Sequence, residues 1–359
     1  MLMQDEGVQD ALQSCTGCGA CKDQCAHGTP VGDLLFFARG TDADDDTKQR
    51  VAHFLKTGDA LGEPLHDMLA NFPLTSKAKV AYFPGSHRLR QELRKVQETA
   101  SDEGELSEEL KGDAFQPAGI AEDLEAYELA FGEPLELVDF PERIFCSGYP
   151  LLASGAWSAF VDHQQELTDV LYEFEMVVTS DPEIAHTLTT MRKRLLPADG
   201  AHDHEHRFPE VTTLVELLAT RASVFAGKSE GLKVRYHDPC YLGRRGGIYE
   251  APRCLLTSAT GIPPVEFVRS HGDADCCGGG GMFPQTHPAE AAALAHKRLA
   301  QEPTLEQKID VLVTASPTCL GHFSSSGIPA VDVVDVLLGR YRPDHENAKC
   351  QERRGKADG

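Results

Sequence analysis

At 359 residues with 41% hydrophobic side chains, the chain has material for two or three domains with cores of their own. A formal charge of −22 excludes nucleic acid, or an anionic membrane, as a partner held by bulk electrostatics. No uninterrupted apolar run is long enough to span a bilayer, and Met1 to Glu6 form neither a basic nor an apolar leader, so a cytoplasmic chain without a direct membrane span is expected.

The first element in chain order is a cysteine run, Cys15-x-x-Cys18-x-x-Cys21-x-x-x-Cys25. This is the spacing with which one short loop sets thiolates around a [4Fe-4S] cluster in bacterial ferredoxins. Gly17, Gly19 and Ala20 let the backbone close over a cluster and aim N–H groups at its sulfurs. Eleven cysteines in a reducing compartment point to metal or catalysis, because disulfides are scarce there. Cys-x-x-Cys pairs also occur in zinc knuckles, but three evenly spaced cysteines and a Cys-x-x-x-Cys step favour iron and sulfide. Residues 1–76 are therefore expected to form a small helical ferredoxin-like head with linker helices.

An internal repeat follows. Lys79–Ser86 aligns with Lys233–Cys240, each a short strand entering a tight turn, and Cys146-Ser147-Gly148 aligns with Cys276-Cys277-Gly278. Val178–Ile184 aligns with Val313–Cys319, a buried strand running into a proline turn. Phe208 to Leu218 aligns with Ile328 to Leu338, each expected to be an amphipathic helix. Four blocks in one order imply a duplicated domain, with a first repeat over 77–226 and a second over 227–345. Apolar strand-like runs alternate with helical patterns, as in the helix near Asp162 to Tyr172 before the strand Met176 to Thr179, so the expected class is α/β with largely parallel strands. Ligand groups then belong where strands end in loops. The acidic stretch 101–125 reads as a solvated insertion, His202, His204 and His206 as a polar loop rather than a metal site, and 346–359 as a disordered tail.

The copies differ in what they can ligate. The second has Cys240, Cys276, Cys277 and Cys319 at positions where the first has Ser86, Cys146, Ser147 and Ile184. One thiol among two hydroxyls and an apolar side chain cannot hold a cluster, so the second copy is the expected site and the first a structural half.

His237 to Arg244, Ile248 to Arg253 and Asp275 to Gly280 resemble the cysteine-rich CCG domain of heterodisulfide reductase subunits. The iron-sulfur subunits of glycolate oxidase, anaerobic glycerol-3-phosphate dehydrogenase and lactate-utilisation complexes share that domain. The resemblance covers the head and both repeats and implies two Rossmann-like CCG domains, the first degenerate. In heterodisulfide reductases a full CCG domain supplies five cysteines to a non-cubane cluster that cleaves a disulfide. Here four positions match and Ser316 stands at the fifth, which fits a [4Fe-4S] cubane better and puts direct disulfide reduction in doubt. Relatives commonly carry two ferredoxin runs. This chain has one, with Ala26 after Cys25, so the fourth ligand of a head cluster stays open among Cys25, Cys146, Cys254, Cys350 and a partner's residue.

The functional expectation is an iron-sulfur electron-transfer subunit with two [4Fe-4S] clusters. The resemblance implies a flavoprotein dehydrogenase or a membrane quinone-reducing subunit as partner, which would make the chain peripheral to the inner face of a membrane. Disulfide reduction at Cys276 and Cys277, and a zinc-stabilised scaffold on Cys240, Cys276, Cys277 and Cys319, are the alternatives. No phosphate loop, nucleophilic triad or dinucleotide fingerprint accompanies these sites.

Overall fold

Two parallel sheets, each fed by helices between its strands, organise the computed structural model, which describes residues 6–40, 43–101, 117–196, 208–301, 309–341 and 343. His202, His204 and His206, Cys350, the stretch 102–116 and the tail 346–359 lie outside the described residues. The chain is α/β with parallel strands.

Four helices come first: Glu6–Gln13, Ala20–Gln24, Val31–Arg39 and Asp45–Thr57. Asp44 caps the last, its side chain accepting from the Thr47 N–H, and Gly58 ends it at φ 77°, a left-handed conformation that costs glycine little. A Cβ at Gly58 would also come within 2.8 Å of the Arg143 carbonyl oxygen.

The first sheet has the order β1-β3-β2-β4-β5, built from β1 (Leu74–Thr75), β2 (Val80–Tyr82), β3 (Leu137–Val138), β4 (Met176–Thr179) and β5 (Glu210–Thr213). The second has the order β6-β7-β8, from β6 (Val234–His237), β7 (Val311–Thr314) and β8 (Ala330–Asp332). Every pairing is parallel. The β2-β4-β5 neighbours of one sheet match the β6-β7-β8 neighbours of the other, so the aligned sequence blocks occupy corresponding strands. All-parallel strands are covered on both faces, and β6 and β7 are buried along their whole length. One continuous apolar core runs through both sheets, from Ala81, Leu137 and Val178 to Val234, Val313 and Val331.

The helix expected near Asp162–Tyr172 spans Trp157–Leu171 and leads to β4. Two expectations need correction. Phe208–Leu218 and Ile328–Leu338 are not helices throughout: each starts as a strand, β5 or β8, and turns helical at Leu214–Ala219 or Val333–Leu337. The switch is local, because Thr213 forms a capping box with Glu216 and Asp332 forms one with Asp335. The described part of 101–125 is not a solvated insertion either. Helix Ile120–Phe131 packs on the core and places Asp123, fully buried, against Arg88. Arg88 bonds Asp123 through Nε and Nη2 at 2.9 and 3.0 Å and reaches Asp332 of the second sheet at 2.9 Å. The pairing satisfies charges that would be too costly to bury alone, and it ties the two sheets together.

Candidate metal centre at the junction of head and second sheet

The second sheet brings its four expected thiols to one end. Cys240 follows β6, Cys276 and Cys277 lie on the loop after the short helix His271–Asp273, and Cys319 stands in the first turn of helix Pro317–Ser325 after β7. Ser316 caps that helix, its hydroxyl accepting from the Cys319 N–H at 3.4 Å. Cys277 Sγ donates to Cys319 Sγ at 3.3 Å, and Cys276 and Cys240 line the same cavity. The Gly278 and Gly279 N–H groups donate to Cys276 and Cys277 sulfur at 3.3 and 3.4 Å, the kind of backbone donors that stabilise thiolate on a metal. Gly278 adopts φ 96°, which favours glycine, and a Cβ there would meet the Ala291 carbonyl oxygen at 2.7 Å.

His237, at the end of β6, has a ring nitrogen within 4.8 Å of the Cys277 and Cys319 sulfurs. Arg298 donates to its Nδ1 at 3.2 Å, so the neutral ring carries its proton on Nε2, which is buried without a hydrogen-bond partner. Burial, then the Arg298 and Arg244 charges, hold this imidazole well below its usual pKa, so it stays neutral.

The head loop closes over the same end. Arg39, 1% exposed, donates to the carbonyls of Leu12 (2.8 Å), Gln13 (3.0 Å), Cys15 (2.8 Å), Ala153 (2.7 Å) and Gly281 (2.8 Å). Arg244 Nε donates to the Cys18 carbonyl at 3.0 Å and Arg245 Nε to that of Gly17 at 2.8 Å. Tyr241 OH donates to Tyr149 OH at 2.8 Å, which in turn accepts from the Gly281 N–H at 2.9 Å. The fit leaves no room for a side chain: a Cβ at Gly280 would meet the Thr16 carbonyl oxygen at 2.6 Å, and one at Gly281 that of Cys15 at 2.4 Å.

The head thiols are not equivalent. Cys18 packs in one cluster with Cys240 and Cys276. The neighbouring Cys276 thiol first, and burial second, push Cys18 and Cys240 above the ordinary thiol pKa, while Cys276 is pulled down by Cys18 and Cys240. Cys15 receives the Gly17 N–H at 3.4 Å, and burial raises its pKa. Cys21 is exposed. Cys25 is pulled down by backbone N–H groups of Thr29 first and His27 second, an anion-stabilising turn of its own. Of the further candidates, Cys254 is exposed, and Cys146 is buried in the first repeat, its carbonyl accepting from His163 Nε2 at 2.7 Å. Burial pushes the Cys146 thiol up to about 11.

The first repeat contributes a wall that sequence reasoning missed. Asp181 accepts from the Thr318 hydroxyl at 3.2 Å, and Glu183 lines the cavity that holds Cys240, Cys276, Cys277 and Cys319. Burial raises the pKa of both carboxyls, Asp181 up to about 6 and Glu183 well above the usual carboxylate range. The Asp181-Pro182-Glu183 turn was visible as the counterpart of Ser316-Pro317-Thr318, a signal that only the facing of the two turns makes functional.

With this geometry in hand, the comparisons agree on the class. Residues 234–324, which carry β6, β7 and the four thiols, match the CCG cysteine-rich domain. The chain is 25% identical over 346 residues to one of the subunits of the fumarate reductase (CoM/CoB) of Methanothermobacter marburgensis, covering 92% of this chain and 61% of that one. It is 34% identical over 110 residues to a component of the dihydromethanophenazine:CoB–CoM heterodisulfide reductase of Methanosarcina barkeri, covering 29% of this chain and 26% of the relative. It is 28% identical over 140 residues to EtfAB:quinone oxidoreductase of Syntrophomonas wolfei, covering 38% and 19%. The chain thus spans about three-fifths of the first relative and about a quarter or less of the others. It carries a match to the CCG domain and is similar to heterodisulfide reductase subunits and other iron-sulfur proteins. Among the described residues no helix is long and apolar enough to cross a membrane.

Proposed function

We propose that this chain is an iron-sulfur electron-transfer subunit, relaying electrons between a partner dehydrogenase, a flavoprotein by resemblance, and a quinone or thiol acceptor. The observation that carries the reading is the convergence of Cys240, Cys276, Cys277 and Cys319, with Gly278 and Gly279 N–H groups aimed at two of the sulfurs. Soft thiolates with backbone donors fit iron and sulfide, and a cluster bound there would supply one-electron chemistry. On this reading the CCG domain holds one [4Fe-4S] ligand set, the ferredoxin-like head, with Cys15, Cys18, Cys21 and Cys25, holds the other, and the first repeat is a Rossmann-like CCG copy without ligands. The names of the relatives, from a fumarate reductase, a heterodisulfide reductase and a quinone oxidoreductase, support electron traffic. In this reading the chain is a cytoplasmic subunit that reaches a membrane through its partner.

The residues around the thiols have clear parts in this scheme. Glu183 lines the thiol cavity with a carboxyl that burial biases toward the neutral acid, which limits the negative charge beside the thiolates, and Asp181 bonds the neighbouring Thr318 hydroxyl. Arg244 places a cation within electrostatic range of Cys240, Cys18 and Cys276. Tyr149, Tyr241 and the buried Arg39 seal the junction against water.

A zinc site is the second reading, favoured by the nearness of His237 to Cys277 and Cys319. The test is low-temperature EPR of anaerobically purified protein before and after dithionite, with metal analysis and an assay for disulfide-dependent oxidation of reduced viologen. A reduced cluster signal without disulfide turnover is the expected result. Turnover would make the protein a disulfide reductase, and colourless, zinc-containing protein would refute the electron-transfer reading.

A further inference from the structure

The head loop and the CCG loop meet at backbone carbonyls of the head, and one head thiol packs among the CCG thiols. We infer that Cys18 is a fifth thiol of the CCG site, a ligand that the head supplies to the centre held by Cys240, Cys276, Cys277 and Cys319. The inference rests on the iron-sulfur reading above and revises one part of it: Cys18 serves the CCG centre, which leaves Cys15, Cys21 and Cys25 as this chain's head ligands.

Three observations carry it. Cys18 packs in one apolar cluster with Cys240 and Cys276, and Cys277 bonds Cys319 at 3.3 Å, so the head thiol lies among the CCG thiols. The placement is not a rotamer accident. Arg244 holds the Cys18 carbonyl, Arg245 holds that of Gly17, and Arg39 bridges the carbonyls of Cys15 and Gly281, so the loop carrying Cys18 cannot withdraw without breaking buried charge-assisted hydrogen bonds. Finally, the Arg244 guanidinium interacts with the sulfurs of Cys240, Cys18 and Cys276 together, the charge balance that a thiol-rich site needs. The other head thiols behave differently: Cys15 bonds its own loop, Cys21 is exposed, and Cys25 sits on the turn at residues 27–29.

Ser316 provides a stringent test. It lines the same cavity as the four CCG thiols and its hydroxyl accepts the Cys319 N–H, so a cysteine at 316 would put a thiol into the site from within the CCG domain. Anaerobic, 57Fe-enriched full-length protein would be compared with Cys18→Ser, Cys15→Ser, Cys277→Ser and the double variant Cys18→Ser/Ser316→Cys by iron content, EPR and Mössbauer spectra. The expected result is that Cys18→Ser alters or removes the signal that Cys277→Ser removes, and that Ser316→Cys restores it in the Cys18→Ser background. The inference is overturned if Cys18→Ser leaves the Cys277-dependent signal unchanged and matches Cys15→Ser instead. Should Cys18→Ser not be recovered folded, Cys18→Ala decides by the same comparison: loss or change of the Cys277-dependent signal supports the inference, and an unchanged signal overturns it. Iron-free wild-type protein would instead sink the electron-transfer reading itself, a result distinct from an unaffected Cys277 signal in Cys18→Ser.

Discussion

Replacing Arg39 with methionine keeps the aliphatic stem and deletes the guanidinium that the head leans on. Five carbonyl oxygens, those of Leu12, Gln13, Cys15, Ala153 and Gly281, would lose a charged donor at 2.7 to 3.0 Å. A hydrogen bond to a charged group contributes about 1.5–3 kcal/mol net, and each carbonyl left buried without a partner costs about 1–3 kcal/mol. Part of that total is offset because the variant no longer buries a cation, whose burial already lowers the Arg39 pKa. The expected net loss is about 3–5 kcal/mol, the range for breaking a buried charged network. Arg39→Lys should fall in between, since an ammonium has three donors on one point and no planar fork. Urea unfolding of the anaerobic, reduced full-length chain would measure both. Trp157, the single tryptophan, reports on head docking because it packs on Phe37 of helix Val31–Arg39 at 5.1 Å between ring centres. If Arg39→Met unfolds within about 0.5 kcal/mol of wild type, the range of an ordinary surface change, the head is not held as described.

Asp335 gives a pH-dependent test away from the thiols. Burial, then the nearby Asp332 carboxylate, raises its pKa from 3.8 to about 7, and Oδ1 has no hydrogen-bond partner. The folded chain therefore keeps this proton where the unfolded chain has lost it, so its stabilising effect is complete below about pH 4 and disappears as pH rises through about 7. A shift of about 3 units corresponds to about 4 kcal/mol, so Asp335→Asn should flatten the decline in stability between pH 4 and 7 in denaturant titrations; an unchanged slope would contradict the assignment. Cys277→Ser should remove one cluster signal, whereas Cys146→Ser should change none, as read by EPR on anaerobic protein. Loss of a cluster in Cys146→Ser would make the first repeat a ligand donor.

Much of this was legible in the sequence where the signal is local. Strands such as Met176–Thr179 and Val311–Thr314 are apolar runs that end in a proline turn, and the aligned blocks doubled each signal, so the parallel α/β layering could be read directly. The β5 and β8 strands were hidden because three or four residues pass straight into a helix, and Val211 or Val331 suits either period. Asp123 looked like a solvated acid because its cationic partner, Arg88, is remote in sequence. The meeting of Cys18 with Cys276 had no local sign at all, since it depends on Arg39, Arg244 and Arg245 docking the head.

Iron and acid-labile sulfide, counted per chain on protein purified without oxygen, bear on everything built on these thiols. The structure leads us to expect about four irons for each occupied site, roughly four to eight in total, matched by sulfide. Protein that carries zinc without sulfide, or no metal at all, would contradict it.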